Sequence, residues 1–149
     1  MRIFLFILFI SLVSCLEQND ITYFSANELT RLIASDSAKS WVLTNRIIDN
    51  SSDILDCEQD DILTFINPQF DQDTTILLQT GIVLCPGQID SIIFVGKWRA
   101  LDSANQQLIM LTIDGDSSIN SIDFLTSELL TIRYQNEGKS ILEEYVYPN

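Results

Sequence analysis

Residues 107–147 read QLIMLTIDGDSSINSIDFLTSELLTIRYQNEGKSILEEYVY, and this stretch decides the fold. Four runs rich in β-branched and aromatic residues stand in it: Gln107–Ile113, Ser118–Leu125, Leu129–Gln135 and Ile141–Tyr147. Asp114-Gly115-Asp116 and Asn136-Glu137-Gly138 separate them. Both clusters hold residues that tolerate positive φ, and Asp114-Gly115 is the strongest hairpin signal in the chain. In Thr131-Ile132-Arg133-Tyr134 polar and apolar positions alternate, the period of a half-buried strand. The spacing predicts an antiparallel meander.

The same pattern extends upstream. Trp41–Ile48, Asp61–Ile66, Thr75–Thr80 and Ile92–Leu101 are further candidate strands. Asp49–Asp53, Asn67-Pro68, Cys85-Pro86-Gly87 and Asp102–Asn105 are the turns between them. Ile92-Ile93-Phe94-Val95 and Leu108-Ile109-Met110-Leu111 are continuously apolar, which predicts burial on both faces. Eight strands in a meander close most simply into an up-and-down barrel, which removes the exposed edges. A barrel of that size is either filled by side chains or holds one small ligand. Before the first strand, Ser25-Ala26-Asn27-Glu28 matches a capping box. Leu29, Leu32 and Ile33 follow at helical spacing. The spacing predicts one short helix from Ala26 to about Ala34, packed over an open end of the domain.

The N-terminus reads MRIFLFILFISLVSC. Arg2 precedes an apolar run from Ile3 to Val13, about half the roughly 20 residues that a membrane-spanning helix needs. It fits a secretory signal, residues 1–14. Leu12-Val13-Ser14-Cys15 resembles a bacterial lipobox, which implies a Cys15 diacylated on sulfur at the mature N-terminus. Residues 15–24 then form a tether, and residues 25–149 the domain. Two or three acyl chains hold a protein on a membrane far better than one.

Composition excludes several functions. The 149 residues carry 8 basic and 21 acidic side chains, a formal charge of -13, and no histidine. Removing residues 1–14 would take away Arg2 and no acid, so the mature chain is more acidic still. Nucleic acid is an unsuitable partner for such a surface. An acidic body is repelled by anionic headgroups, so the domain is expected to stand off the bilayer. Histidine-based catalysis and histidine metal sites are impossible. Asp114, Asp116 and Ser118 have the spacing that opens a calcium loop, but the glycine and glutamate that should follow are missing. Asp56, Glu58, Asp60 and Asp61 cluster around Cys57, and no pair among the 21 acids is singled out for catalysis. No catalytic residue, metal or cofactor is assigned, and the reading is of a protein that is not an enzyme.

With Cys15 lipidated, Cys57 and Cys85 remain as an even pair, in a compartment that favours a disulfide. Trp41 and Trp98 each open a strand and are candidates both for core packing and for a ligand site. Arg46, Lys97, Arg99 and Arg133 are scarce cations, and one pointing into the barrel would suit a carboxylate-bearing ligand. Arg99 and Arg133 join the two tryptophans as the candidate ligand-binding set. By alternation Arg99 faces opposite to Trp98.

The order of these pieces resembles the small lipocalin-like lipoproteins of Bacteroidetes. The matching pieces are the lipobox, the short helix, Ser40-Trp41-Val42-Leu43-Thr44, and Cys57–Phe65 with a second cysteine in Cys85-Pro86-Gly87. Gly96-Lys97-Trp98, Thr112–Asp116 and the last two strands complete the order. The resemblance implies an eight-stranded calyx on a lipid tether, with a tryptophan of the first strand at the closed end. It implies an outer-membrane anchor, with a small apolar or amphipathic ligand in the barrel mouth as the first reading. The alternative is a filled barrel serving as a protein–protein interaction module of an envelope complex. Asp36-Ser37-Ala38, Asp73-Thr74-Thr75, Asp90-Ser91-Ile92 and Asp102-Ser103-Ala104 resemble the O-glycan acceptor of the same bacterial group.

Overall fold

A computed structural model describes residues 23–67, 75–87 and 92–148. The signal segment, Cys15 and the tether as far as residue 22 lie outside these residues.

The first element of the described residues is helix α1 (Ala26–Ala34). Its capping box is formed: Glu28 N donates to Ser25 Oγ at 3.4 Å, and Ser25 N donates to the Glu28 carboxylate at 2.9 Å. At its C-terminal end Ser35 adopts φ 56° and donates its N–H to Arg31 O. The buried side of α1 is Leu29, Ile33 and Ala34.

Nine strands follow among the described residues: β1 (Ala38–Ile48), β2 (Ser51–Ser52), β3 (Ile62–Ile66), β4 (Thr75–Gln79), β5 (Ile92–Leu101), β6 (Leu108–Ile113), β7 (Asp116–Leu125), β8 (Leu129–Asn136) and β9 (Lys139–Val146). All pairings are antiparallel. Eight of the strands form a ring in chain order, closed by β9 on β1 from Val42↔Val146 to Ile48↔Ile141. Among the described residues the fold is an all-β, up-and-down, eight-stranded barrel preceded by one short helix. Three hairpins turn through two residues with positive φ, the signature of type I′: Asp49-Asn50, Asp114-Gly115 and Glu137-Gly138.

Two expectations need correction. Residues 49–53 are not all turn: after the positive-φ pair, Ser51 and Ser52 return to pair with Ile48 and Ile47 as β2. The apolar runs of β5 and β6 are not buried on both faces. Val95 is 58% exposed and Met110 half-buried, because α1 covers an end of the barrel and leaves the walls uncovered.

That end is where β1 starts and β3 and β5 finish. Trp41 Nε1 donates to Ile33 O of the helix at 2.8 Å, and Trp98 Nε1 to Ile66 O at 2.9 Å. Both rings are fully buried, and Trp98 stands edge-on to Phe65 with centroids 5.0 Å apart. Leu29, Ile33, Ile109 and Leu130 fill the same layer. Burying each large side chain stabilises the fold by about 1.5–3 kcal/mol. Lys39 is buried there too; its ammonium donates to Ser127 O at 2.7 Å and Leu32 O at 3.3 Å and lies 3.9 Å from the centre of the Trp41 ring. The floor of the barrel is therefore solid.

Candidate functional site

Above this floor the barrel holds a cavity of about 290 Å³. Leu63, Ile76, Leu78, Phe94, Leu111 and Ile132 give it apolar walls. Arg46, Asp61, Ser118, Asn120, Tyr134, Glu143 and Tyr145 add polar groups. Strand alternation explains most of these positions. Glu143 lies between Ile141 and Tyr145 on the inward face of β9, and Tyr134 follows Ile132 on β8. Gly96 of β5 helps to shape the wall: a β-carbon there would lie 2.7 Å from Thr112 O and 3.2 Å from Ile76.

Arg46 enters the interior through an irregularity. Counting by twos from Trp41 and Leu43 puts Asn45 inward and Arg46 outward. The β1–β9 register shifts between Leu43 and Asn45, so Leu43 opposes Tyr145, Asn45 opposes Glu144 and Arg46 opposes Glu143. One extra residue reverses the phase of everything after it. The guanidinium then bridges two carboxylates. Nε donates to Glu143 Oε1 at 2.9 Å and Nη1 to Glu58 Oε1 at 2.8 Å. Glu143 also accepts from Tyr134 OH at 3.1 Å and Tyr145 OH at 2.6 Å. Glu58 Oε2 accepts from Leu55 N.

Burial works against the Arg46 charge, but the hydrogen bonds and charges of Glu58 and Glu143 outweigh it and hold the guanidinium protonated. Burial likewise opposes the Glu58 charge, yet the Leu55 N–H and Arg46 hold its carboxyl below its ordinary value. Tyr134 and Tyr145 are pushed upward by burial and by the adjacent Glu143 carboxylate, so both stay neutral donors.

Asp61 behaves differently. Burial, then the nearby Glu58 and Asp60 charges, raise its carboxyl above the ordinary 3.8, against a hydrogen bond from Gly81 N. A raised folded value means that stability is fully present below the unfolded value and is lost as pH rises through the folded one. Asp61→Asn should therefore raise the urea midpoint at pH 7 and leave it unchanged near pH 3. Equal midpoints at pH 7, or a gain at pH 3 alone, would contradict this.

Loops 53–61 and 80–87 meet beside the cavity. The Cys57–Cys85 disulfide joins them, with Cα atoms 5.1 Å apart. Asp60 Oδ2 accepts from Ile82 N at 2.7 Å and Val83 N at 3.2 Å. This fixes an apolar rim in solvent: Ile82 is 97% exposed, and Leu55, Val83 and Leu84 are also exposed.

The candidate residues from sequence separate into two groups. Trp41 and Trp98 are buried in the floor, below the cavity lining. Arg99 and Arg133 lie on the outer surface, Arg99 at 3.7 Å from Met110 Sδ and Arg133 paired with Asp123 at 2.6 Å. Neither lines the cavity. Among the described residues the cation that lines the cavity is Arg46 instead. Of the acidic residues around Cys57, Glu58 and Asp61 join the site and Asp60 holds the rim. Glu143 had a readable signal, since an acid flanked by Ile141 and Tyr145 at inward spacing needs a partner. Ser37 of the acceptor-like tripeptides is exposed and Ser103 half-buried; Thr74 and Ser91 lie outside the described residues. Comparison of the chain with known protein families, curated proteins and solved structures finds no match.

Proposed function

We propose that this is a lipid-anchored protein of the bacterial cell envelope whose lipocalin-like barrel binds a small amphipathic molecule, without catalysis. The observation that carries this reading is the cavity: apolar walls, a few convergent polar groups, and a solid floor beneath. The volume equals about ten water-sized units at roughly 30 Å³ each, which suits a ligand of about that many non-hydrogen atoms.

The anchor rests on the N-terminal sequence, and the disulfide supports an oxidising compartment outside the cytoplasm. Diacylated Cys15 and residues 16–24 would reach the domain at the helix end, where Phe24 packs on the core and Ala26 N donates to Asp102 Oδ1. At about 3.3–3.6 Å per residue such a tether spans up to roughly 30 Å. The rim would then face away from an outer-membrane surface. The exposed Leu55 and Ile82–Leu84 favour a second reading, an envelope protein docked on that rim.

Native mass spectrometry of the protein purified from its own source tests the first reading. A small molecule that co-purifies and is released on denaturation is expected. A bare protein mass, with no gain on adding amphiphiles, would overturn it.

A further inference from the structure

We infer that the cavity selects amphiphiles with a cationic, amine-type head over those with a carboxylate head; this rests on the ligand-binding reading above. The argument begins with the charges that face the cavity. Arg46 supplies one positive charge. Glu143 and Asp61 line the same space, and Glu58 sits on Arg46 at 2.8 Å. Three carboxylates thus surround one guanidinium, and two of them already take its charge at hydrogen-bond distance.

An inward arginine suits a carboxylate ligand only when the arginine is unmatched. Here a ligand carboxylate would be the fourth acid around one cation, in a site only partly open to water. Like charges at such distances in a low-dielectric interior repel strongly. An ammonium meets the opposite field. It brings donors and no acceptors, and the Asp61 and Glu143 carboxylates are acceptors. Asn120, 3% exposed, adds a buried amide to the lining, and its Nδ2 donates to Ser118 Oγ. Phe94, Tyr134 and Tyr145 contribute aromatic rings, whose faces attract cations. The acidic exterior, part of the formal -13, steers cations toward the protein and anions away.

The cavity and the charge pattern are independent observations. The apolar walls call for an alkyl or aryl body, and the carboxylates choose its head.

The test titrates the purified protein with n-octylammonium, 1-octanol and octanoate by calorimetry at pH 7. Octylammonium is expected to bind one to one and at least about tenfold tighter than octanoate. Asp61→Asn should shrink that preference severalfold. Leu111→Trp, which fills the cavity, should abolish binding of all three. Equal affinity for octylammonium and octanoate would overturn the head-group selection and leave ligand binding standing. Binding of none of the three would overturn the binding reading itself. Octylammonium binding that survives Leu111→Trp would place it on the acidic exterior, and would also overturn the inference.

Discussion

Replacing Arg46 by methionine should cost about 3–5 kcal/mol of stability, the penalty for leaving a buried carboxylate without its cation. Glu143 is only 8% exposed and opposes Arg46 directly across the β1–β9 pair. Two tyrosine hydroxyls remain to it in the variant, but they are neutral donors and do not balance its charge. Glu58 has more access to water and can turn outward, so Glu143 carries most of the effect. For a domain whose total stability is of order 5–15 kcal/mol, such a loss is large. In urea, at about 1–3 kcal/mol per molar, the midpoint should fall by roughly 2 M. The double variant Arg46→Met/Glu143→Leu should regain much of the loss, because it removes the orphaned charge together with its partner. A loss below about 1 kcal/mol for Arg46→Met, or strict additivity in the double variant, would show the pair to be solvated. The same charge balance argues for a cationic ligand head, so this variant also tests the premise of that inference.

Cys57→Ser/Cys85→Ser should lower stability by about 3.5 kcal/mol, from the entropy of a loop of roughly 29 residues in the unfolded chain. The bridge joins residues 28 apart and spans the two loops beside the cavity. The expected damage is local as well as global. Asp60 also fastens these loops, through Ile82 N and Val83 N, as does Asp61 through Gly81 N, and Gly81 leaves no room there for a β-carbon beside the Asp60 carboxylate. Amide hydrogen exchange should therefore accelerate first at residues 80–87 and later in β8 and β9, which pair along their whole length. A uniform rise across the barrel would mean that the rim and the barrel open as one unit. Full stability in the double variant would contradict the entropic account.

Much of the fold was legible because local chemistry and tertiary structure agree. Ser25 and Glu28 announce α1 by a capping box that forms as read. Asp114-Gly115 turns where positive φ is cheap, and in the second turn Gly138 takes it at no cost while Glu137 is carried along. Alternation in β8 puts Ile132 and Tyr134 on one face, which is the inward one; in β9 it decides nothing, because Leu142 and Val146 are as apolar as Ile141 and Tyr145. The candidate site was less legible, for one physical reason. A bulge has no strong sequence signature, and the one between Leu43 and Asn45 exchanges the roles of Asn45 and Arg46. Without it Arg46 reads as an outward cation like Arg99 and Arg133. Those two do face outward, as the alternation around Ile132 and Trp98 requires. The tryptophans do not open their strands: Trp41 is the fourth residue of β1 and Trp98 the seventh of β5, and both are buried in the floor. β2 has no signal in the sequence, because its two serines carry no apolar pattern and follow a turn.

The central claim is that the hollow upper half of the barrel is a binding site. Intermolecular nuclear Overhauser effects between isotope-labelled protein and n-octylammonium test it most directly. The account predicts contacts from the alkyl chain to the methyl groups of Leu63, Ile76, Leu78 and Leu111, which line the cavity. Contacts confined to exposed residues such as Val95 and Ile119, or no contacts at saturating ligand, would contradict it.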